Sequence, residues 1–181
     1  MIRAGKRELR LSNLDKPFWP DEGITKGDLL RYYRAVAPVL LPHLKDRPFT
    51  MRRYPNGAYG EAFFQKDAPP HMPEWIPRFH TDQFDAPVVN DEDALVWMAN
   101  MACIDMNVWY SRIDKPDRPD FVLFDLDPSP DAGFRETVQV ALLVKAALDA
   151  LGLKSFPKTS SAEGMHVLVP VERRYTYNDT R

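Results

Sequence analysis

Phe121-Val122-Leu123-Phe124-Asp125-Leu126-Asp127-Pro128-Ser129-Pro130 is the stretch that decides the fold of this chain. Four consecutive apolar residues give the signature of a buried strand, and the Asp, Pro and Ser residues behind them stop it. After Gly133, the apolar residues Val138, Ala141, Leu142 and Leu148 predict a helix from about Phe134 to Leu151, ended by Gly152. Strands are predicted over Lys154 to Thr159 and Met165 to Val171, joined by a Gly-containing turn. Strand, helix, strand and hairpin make an α/β, or mixed α+β, domain.

Upstream, Thr25 is placed to cap a helix from about Lys26 to Ala37, with Asp28 suiting its positive end. Leu29, Leu30, Tyr33, Val36 and Ala37 recur there at helical spacing. Phe49 to Tyr54 reads as a strand. A second helix starts near Asp91 and carries Leu95, Met98, Ala99 and Ala102 on one face. Pro69-Pro70-His71-Met72-Pro73 and the Pro116 to Pro119 region read as extended loops. No internal repeat interrupts this order.

The chain has 181 residues, 44% of them hydrophobic and 28% charged, which fits one globular domain or one with an appended lobe. No apolar run approaches the roughly 18 residues of a membrane span. The start, Met1-Ile2-Arg3-Ala4-Gly5-Lys6-Arg7, lacks the apolar stretch of a secretory signal. A single cysteine, Cys103, excludes an internal disulfide framework and a thiolate zinc site, and suits a reducing cytoplasm. The net charge of −2 hides a split. Residues 1–53 carry 12 Lys and Arg against 6 Asp and Glu, whereas residues 54–181 carry 12 against 20. The basic part is suited to an anion and the acidic part to a cation, unless the charges merely scatter over a solvated surface.

Asp125 and Asp127 stand two apart at a strand end, so both carboxylates point to the same side. Like charges held so close call for a cation between them, and hard Mg²⁺ or Mn²⁺ suits oxygen ligands. The plainer alternative is that Asp-x-Asp-Pro opens a turn. Lys158-Thr159-Ser160-Ser161-Ala162-Glu163-Gly164-Met165-His166 offers hydroxyls, positive charge, a Gly and a His around a tight turn. A polyphosphate needs such donors and close backbone approach, though an ordinary polar hairpin would read the same way. Beside a two-carboxylate strand, the pair of motifs suggests metal-assisted phosphate chemistry.

The run from Phe121 to Pro128, with Ser160, Gly164, Met165 and His166, resembles the polymerase domain of bacterial DNA ligase D. That domain is a member of the archaeo-eukaryotic primase superfamily and serves non-homologous end joining. The N-terminal half is similar too: Asp15-Lys16-Pro17-Phe18-Trp19-Pro20, Thr25-Lys26-Gly27-Asp28, Tyr32-Tyr33, Arg53-Tyr54-Pro55-Asn56-Gly57 and Phe63-Phe64-Gln65-Lys66. The likeness covers nearly the whole chain in order. It implies a primase-like fold over residues 1–181, a mixed sheet flanked by helices. A DNA- and 5′-phosphate-binding lobe would span about 1–110, and a catalytic part about 111–181.

The resemblance implies a template-dependent nucleotidyltransferase that adds nucleotides to a primer 3′-hydroxyl with two Mn²⁺ or Mg²⁺ ions. Asp125 and Asp127 would be two of its three metal-binding carboxylates. Ser160 and His166, with Lys158 and Arg53, would hold the nucleoside triphosphate. Asn13, Lys16 and Lys26 would form a pocket for a downstream 5′-phosphate, in keeping with the basic N-terminal excess. Phe63 and Phe64 would stack on the template, and Arg52 and Arg53 would track phosphates; core phenylalanines and surface arginines are the plainer readings. Implied partners are duplex DNA with gaps, breaks or 3′ overhangs, a Ku-like end-binding protein and a ligase domain. The implied setting is the bacterial cytoplasm at the nucleoid, with no membrane.

Three positions depart from the family pattern. The third catalytic Asp is expected on a later strand beyond Arg181, so the C-terminal part of the fold is expected to be truncated, with Asp105 read as structural. Glu163 stands where a Lys is usual, and Asn107 where a His is usual before Trp109. A non-catalytic DNA-end-binding fragment is therefore the main alternative. Asp-x-Asp also resembles the haloacid dehalogenase-type phosphohydrolases, but Pro128 and the Ser160 to His166 turn do not fit that class.

Overall fold

A computed structural model describes residues 2–4, 7–160 and 163–180, so Met1, Gly5, Lys6, Ser161, Ala162 and Arg181 lie outside the described residues. The chain divides into two units, Met1–Asp114 and Lys115–Arg181. In the first, the elements run β1 (Ile2–Ala4), β2 (Arg7–Leu9), β3 (Pro17–Trp19), β4 (Ile24–Thr25), α1 (Lys26–Leu44), β5 (Phe49–Arg53) and β6 (Phe63–Gln65). There follow β7 (Arg78–His80), β8 (Asp85–Pro87), α2 (Glu92–Asn100), β9 (Cys103–Val108) and β10 (Ser111–Arg112). The second unit holds β11 (Lys115–Pro119), β12 (Phe121–Leu126), α3 (Phe134–Ala150), β13 (Phe156–Thr159) and β14 (Met165–Pro170).

Thr25 caps α1 as expected. Its Oγ1 accepts from the Asp28 N–H at 3.2 Å, and the Thr25 N–H donates to the Asp28 carboxylate at 2.9 Å, a reciprocal capping box. The helix outruns its expected end at Ala37 and continues through Pro38 and Pro42 to Leu44. Both prolines face solvent, while Leu40, Leu41 and Leu44 of the same stretch pack on the core. Each Pro costs a helix roughly 3 kcal/mol; the stretch stays helical because only a helical backbone turns Leu40, Leu41 and Leu44 together onto the core.

The first core gathers Leu29, Leu30, Tyr33 and Ala37 of α1, Phe49 and Met51 of β5, and Leu95 and Met98 of α2. Helix α2 starts after Asp91, whose side chain accepts from the Ala94 N–H. It is buried from Asp93 to Ala99 and not on one face alone, because helix, sheet and N-terminal hairpin enclose it. Ala102 lies past its end with φ of +64°. Strands β6, β5 and β9 form an antiparallel sheet in that order. Cys103 is wholly buried in this core, and burial pushes its thiol up to about 12.

In the second unit β14 lies between β12 and β13 and runs antiparallel to both. Thus β12 and β13 are parallel to each other, and α3 makes the crossover of a split βαβ unit. Thr137, Ala141 and Leu148 of α3 are buried, with Val167 and Val169 of β14 in the same small core. Leu142, expected on that face, is 60% exposed. The apolar run at the head of β12 is not buried as expected: Phe121, Val122 and Leu123 are half-buried and Phe124 is exposed. A single helix covers this three-stranded sheet too narrowly to bury a whole strand.

The cap yields a stability test. Thr25→Ala should cost about 1 kcal/mol, read by urea unfolding at neutral pH. The Thr25 hydroxyl and N–H hold the Asp28 carboxyl below its ordinary range, so the cap is complete at neutral pH. As pH falls through that lowered pKa the wild type should lose its advantage, and the gap between the two proteins should narrow.

Candidate functional site

The end of β12 presents Asp125 directly opposite His166, which in turn stands opposite Lys158 on β13. Directly opposed residues share a sheet face, so these three side chains form one polar row. It lies on the face away from α3, because Val167 and Val169 point to the helix and neighbours alternate. His166 Nε2 is 3.2 Å from Asp125 Oδ1. The Lys158 ammonium donates to the Thr159 carbonyl.

Asp127 and Ser160 meet at Gly164. A Cβ on Gly164 would lie 2.3 Å from Ser160 Oγ and 2.8 Å from Asp127 Oδ1, distances no real side chain tolerates. The Ser160 N–H donates to the Gly164 carbonyl at 3.0 Å and closes the turn, whose Ser161 and Ala162 lie outside the described residues. Asp125, Asp127, Ser160, Gly164 and His166 therefore cluster at one end of the sheet. Among the described residues no group of three or more His, Cys, Asp or Glu side chains is arranged to hold a metal ion. Two exposed carboxylates with hard oxygens nevertheless fit the way Mg²⁺ is commonly bound, with water and substrate phosphates completing the shell.

The first unit carries a second polar centre. Lys26 opens α1 yet is only 5% exposed, and its Nζ donates to the Ser12 carbonyl at 2.8 Å. The backbone holds the 12–16 loop against the helix start: the Lys26 N–H donates to Lys16 O, and the Gly27 N–H to Leu14 O, both at 2.8 Å. Gly27 has no Cβ to push away the Leu14 carbonyl, which would stand 3.1 Å from one. Asn13 turns the loop with φ of +54°, a conformation Asn tolerates, and its carbonyl accepts from the Lys16 N–H.

Lys16 Nζ donates to the Pro55 carbonyl at 2.6 Å. Arg53 Nε donates to Met101 O at 2.7 Å, and its Nη1 to Gln65 Oε1 at 2.8 Å. Burial, then repulsion from Lys16 and Arg53, pushes the Lys26 ammonium down to about 8. Burial likewise lowers Arg53. Three cations confined around a helix N-terminus make a site that an anion would relieve.

Phe63 and Phe64 are adjacent on β6, and their partners on β5 differ. Phe63 stands opposite Arg53, whose guanidinium lies 5.3 Å from the ring centroid; Phe64 stands opposite Arg52, 5.4 Å away. Successive strand residues face opposite ways, so Phe63 shares a face with Arg53, and Phe64 with Arg52. Both rings are exposed, Phe63 at 46% and Phe64 at 62%, which sets them apart from the buried core. Tyr54 and Gln65, which the sequence offers only as parts of motifs, contact Arg52 and Arg53, and Asp105, expected to be structural, contacts both Arg52 and Tyr54. The spacing of Arg52 and Tyr54 already placed both on one strand face; Asp105 had no such signal, because its partner strand is 53 residues away.

The family model described as LigD, primase-polymerase domain, matches residues 25–181. The multifunctional non-homologous end joining protein LigD of Mycolicibacterium smegmatis is 33% identical over 169 residues, 90% of this chain and 22% of the relative. The bifunctional non-homologous end joining protein LigD of Bacillus subtilis is 34% identical over 175 residues, 96% of this chain and 28% of the relative. The solved polymerase domain from Mycobacterium tuberculosis ligase D in complex with DNA aligns with a TM-score of 0.85 at 32% identity, covering 92% of this chain and 62% of that one. The chain thus spans about a quarter of the length of these curated relatives. The primase-like α/β fold expected from the sequence is the fold found.

The buried lysine can be checked directly. By NMR, Lys26 should titrate near pH 8, well below an ordinary lysine. Lys16→Met should raise that value by removing a repelling charge, without restoring it fully, since burial is the larger cause.

Proposed function

This chain belongs to the LigD primase-polymerase family, and from that premise we propose that it is a template-dependent nucleotidyltransferase of DNA end joining or gap-filling repair. The observation that carries the reading is the meeting of Asp127 and Ser160 at Gly164, beside the Asp125–His166 pair. Asp125 and Asp127 supply the carboxylate oxygens for the divalent ion. Ser160 donates its hydroxyl, and His166 a ring N–H, to the triphosphate of the incoming nucleotide, with Lys158 adding positive charge on the same face. The chemistry supplied by bound Mn²⁺ or Mg²⁺ is neutralisation of phosphate charge and activation of the primer 3′-hydroxyl. Glu163, exposed in the turn, weakens the hold on the triphosphate by repulsion.

Lys16 and Lys26, with Asn13, hold a downstream 5′-phosphate. Arg53, expected at the triphosphate, lies two residues before Pro55, whose carbonyl anchors Lys16, and joins this pocket from there. Phe63 and Phe64 offer sequence-tolerant stacking surfaces to the template. The substrate is then duplex DNA with a gap, break or 3′ overhang, met in the cytoplasm at the nucleoid. Ku-like and ligase partners follow from the end-joining role. Among the described residues no helix is long and apolar enough to cross a membrane.

Primer extension on a gapped duplex with Mn²⁺ and nucleoside triphosphates tests the reading. Template-dependent addition by the wild type, lost in Asp125→Ala and Asp127→Ala, is the expected result. DNA binding without addition would leave the chain a DNA-end-binding fragment. Titration of Mn²⁺ should show weaker binding by Asp127→Ala, and equal affinity would remove the metal assignment.

A recessed 5′-phosphate should tighten binding of a gapped duplex about tenfold or more, mostly lost in Lys16→Ala. Lys26 is protonated below about pH 8, so the preference should be full at pH 7. Above pH 8 the free protein has shed that proton and must regain it to bind, so the preference should shrink with rising pH. A phosphate preference constant from pH 6.5 to 9.5, measured by anisotropy, would separate Lys26 from the phosphate.

A further inference from the structure

One face of the β6–β5–β9 sheet carries a row that runs Phe64, Arg52, Asp105 across the three strands. Tyr54, two residues beyond Arg52, joins it. The Arg52 guanidinium lies 5.4 Å from the Phe64 ring centroid and 5.4 Å from that of Tyr54, so it touches two aromatic rings at once. A single oxygen, Asp105 Oδ2, accepts from Arg52 Nη1 at 3.2 Å and from the Tyr54 hydroxyl at 2.7 Å. The arginine is thus held by two rings and at its tip by a carboxylate. Arg53, on the opposite face, donates to a carbonyl and an amide, and among the described residues no carboxylate is its partner.

A guanidinium paired with a carboxylate contributes little net charge to phosphate attraction, but its flat face and aromatic contacts remain. An arginine held against a ring stiffens that ring, and the ring's other face is left for a base. We propose that Asp105 is a positioning residue: it pins Arg52 and Tyr54 so that Arg52 serves as the backing of a Phe64 stacking platform for an unpaired base, and not as a phosphate contact. This rests on the reading that Phe64 faces template DNA. It reverses the expectation that Arg52 tracks phosphates.

The test uses the 181-residue chain and a gapped duplex with 2-aminopurine at the unpaired template position next to the gap. Stacking is read as fluorescence quenching, and phosphate contacts as the slope of log affinity against log salt. In the wild type the probe should be quenched on binding. Phe64→Ala should abolish the quenching and weaken binding about tenfold. If the wild type does not quench, or Phe64→Ala quenches as well as the wild type, the DNA-facing reading of Phe64 fails and takes this proposal with it.

With that control in hand, the charge-balanced double variant Arg52→Gln/Asp105→Asn should lose part of the quenching and about two- to fivefold in affinity, with the salt slope unchanged because the pair leaves together. A salt slope reduced by about 0.7–0.9 would make Arg52 a phosphate contact and overturn the proposal. Asp105→Asn should also lose quenching, and its salt slope should steepen because the Arg52 charge is no longer cancelled. Asp105→Glu, which keeps the charge, should restore the wild-type slope. Quenching and slope both unchanged in Asp105→Asn would equally overturn it. Neither readout responds to a loss of fold stability that leaves the protein folded at the assay temperature, which thermal unfolding of each variant establishes.

Discussion

In the second unit the position of every polar side chain follows from the register of β14. That strand pairs with β12 on one side and β13 on the other, and its residues alternate between a helix-covered face and an open one. Val167 and Val169 are almost fully buried, and they can reach the small core only if His166 and Leu168 turn the other way. A slip of one residue would bury a histidine and expose two valines. The apolar pattern therefore fixes where His166 stands, and His166 fixes which residues of β12 and β13 flank it. Gly164 adds a second constraint at the strand's entry, since any side chain there would drive Ser160 and Asp127 apart.

The first unit solves a different problem, holding like charges together without a counter-charge inside the cluster. The backbone does this work. The helix start and the 12–16 loop are laced by hydrogen bonds, and Lys26 reaches its acceptor, the Ser12 carbonyl, within that lacing. Lys16 and Arg53 are likewise anchored on backbone carbonyls. Carbonyl acceptors orient an ammonium or guanidinium without neutralising it, so the field of the cluster stays positive. On the other face of the sheet, where Asp105 meets Arg52, the same residue type is neutralised. Adjacent arginines in the sequence have thus been given opposite electrostatic characters by strand alternation together with the register of β5 on β9.

Local signals in the sequence were strong where they depended on neighbours in the chain. Thr25 and Asp28 announced α1, Asp91 announced α2, and Gly152 marked the end of α3, because caps are built within four residues. The length of α1 was not legible, since its continuation through Pro38 and Pro42 is decided by leucines meeting a core assembled from distant elements. The burial of β12 was misjudged for a related reason: four apolar residues specify a strand, but how many layers cover it depends on the remainder of the unit. The alternation that separates Phe63 from Phe64 was readable, as was the pairing of Arg52 with Tyr54. Which carboxylate would meet Arg52 was not, because the register of β5 on β9, which sets Arg52 opposite Asp105, joins strands about fifty residues apart and no local pattern encodes it.

The two prolines of α1 carry a consequence for how that helix breathes. Proline has no amide hydrogen, so two rungs are missing from the hydrogen-bond ladder in the last two turns, and partial opening there breaks fewer bonds. The first turn has its full complement, with a reciprocal cap and backbone links to the 12–16 loop. The far end is held instead by Leu40, Leu41 and Leu44 packing on the core, so its order rests on tertiary contacts while that of the Lys26 end is local. The donors around the cationic centre are held by local hydrogen bonds, so an anion entering that centre meets them already in place and little ordering remains to be done on binding.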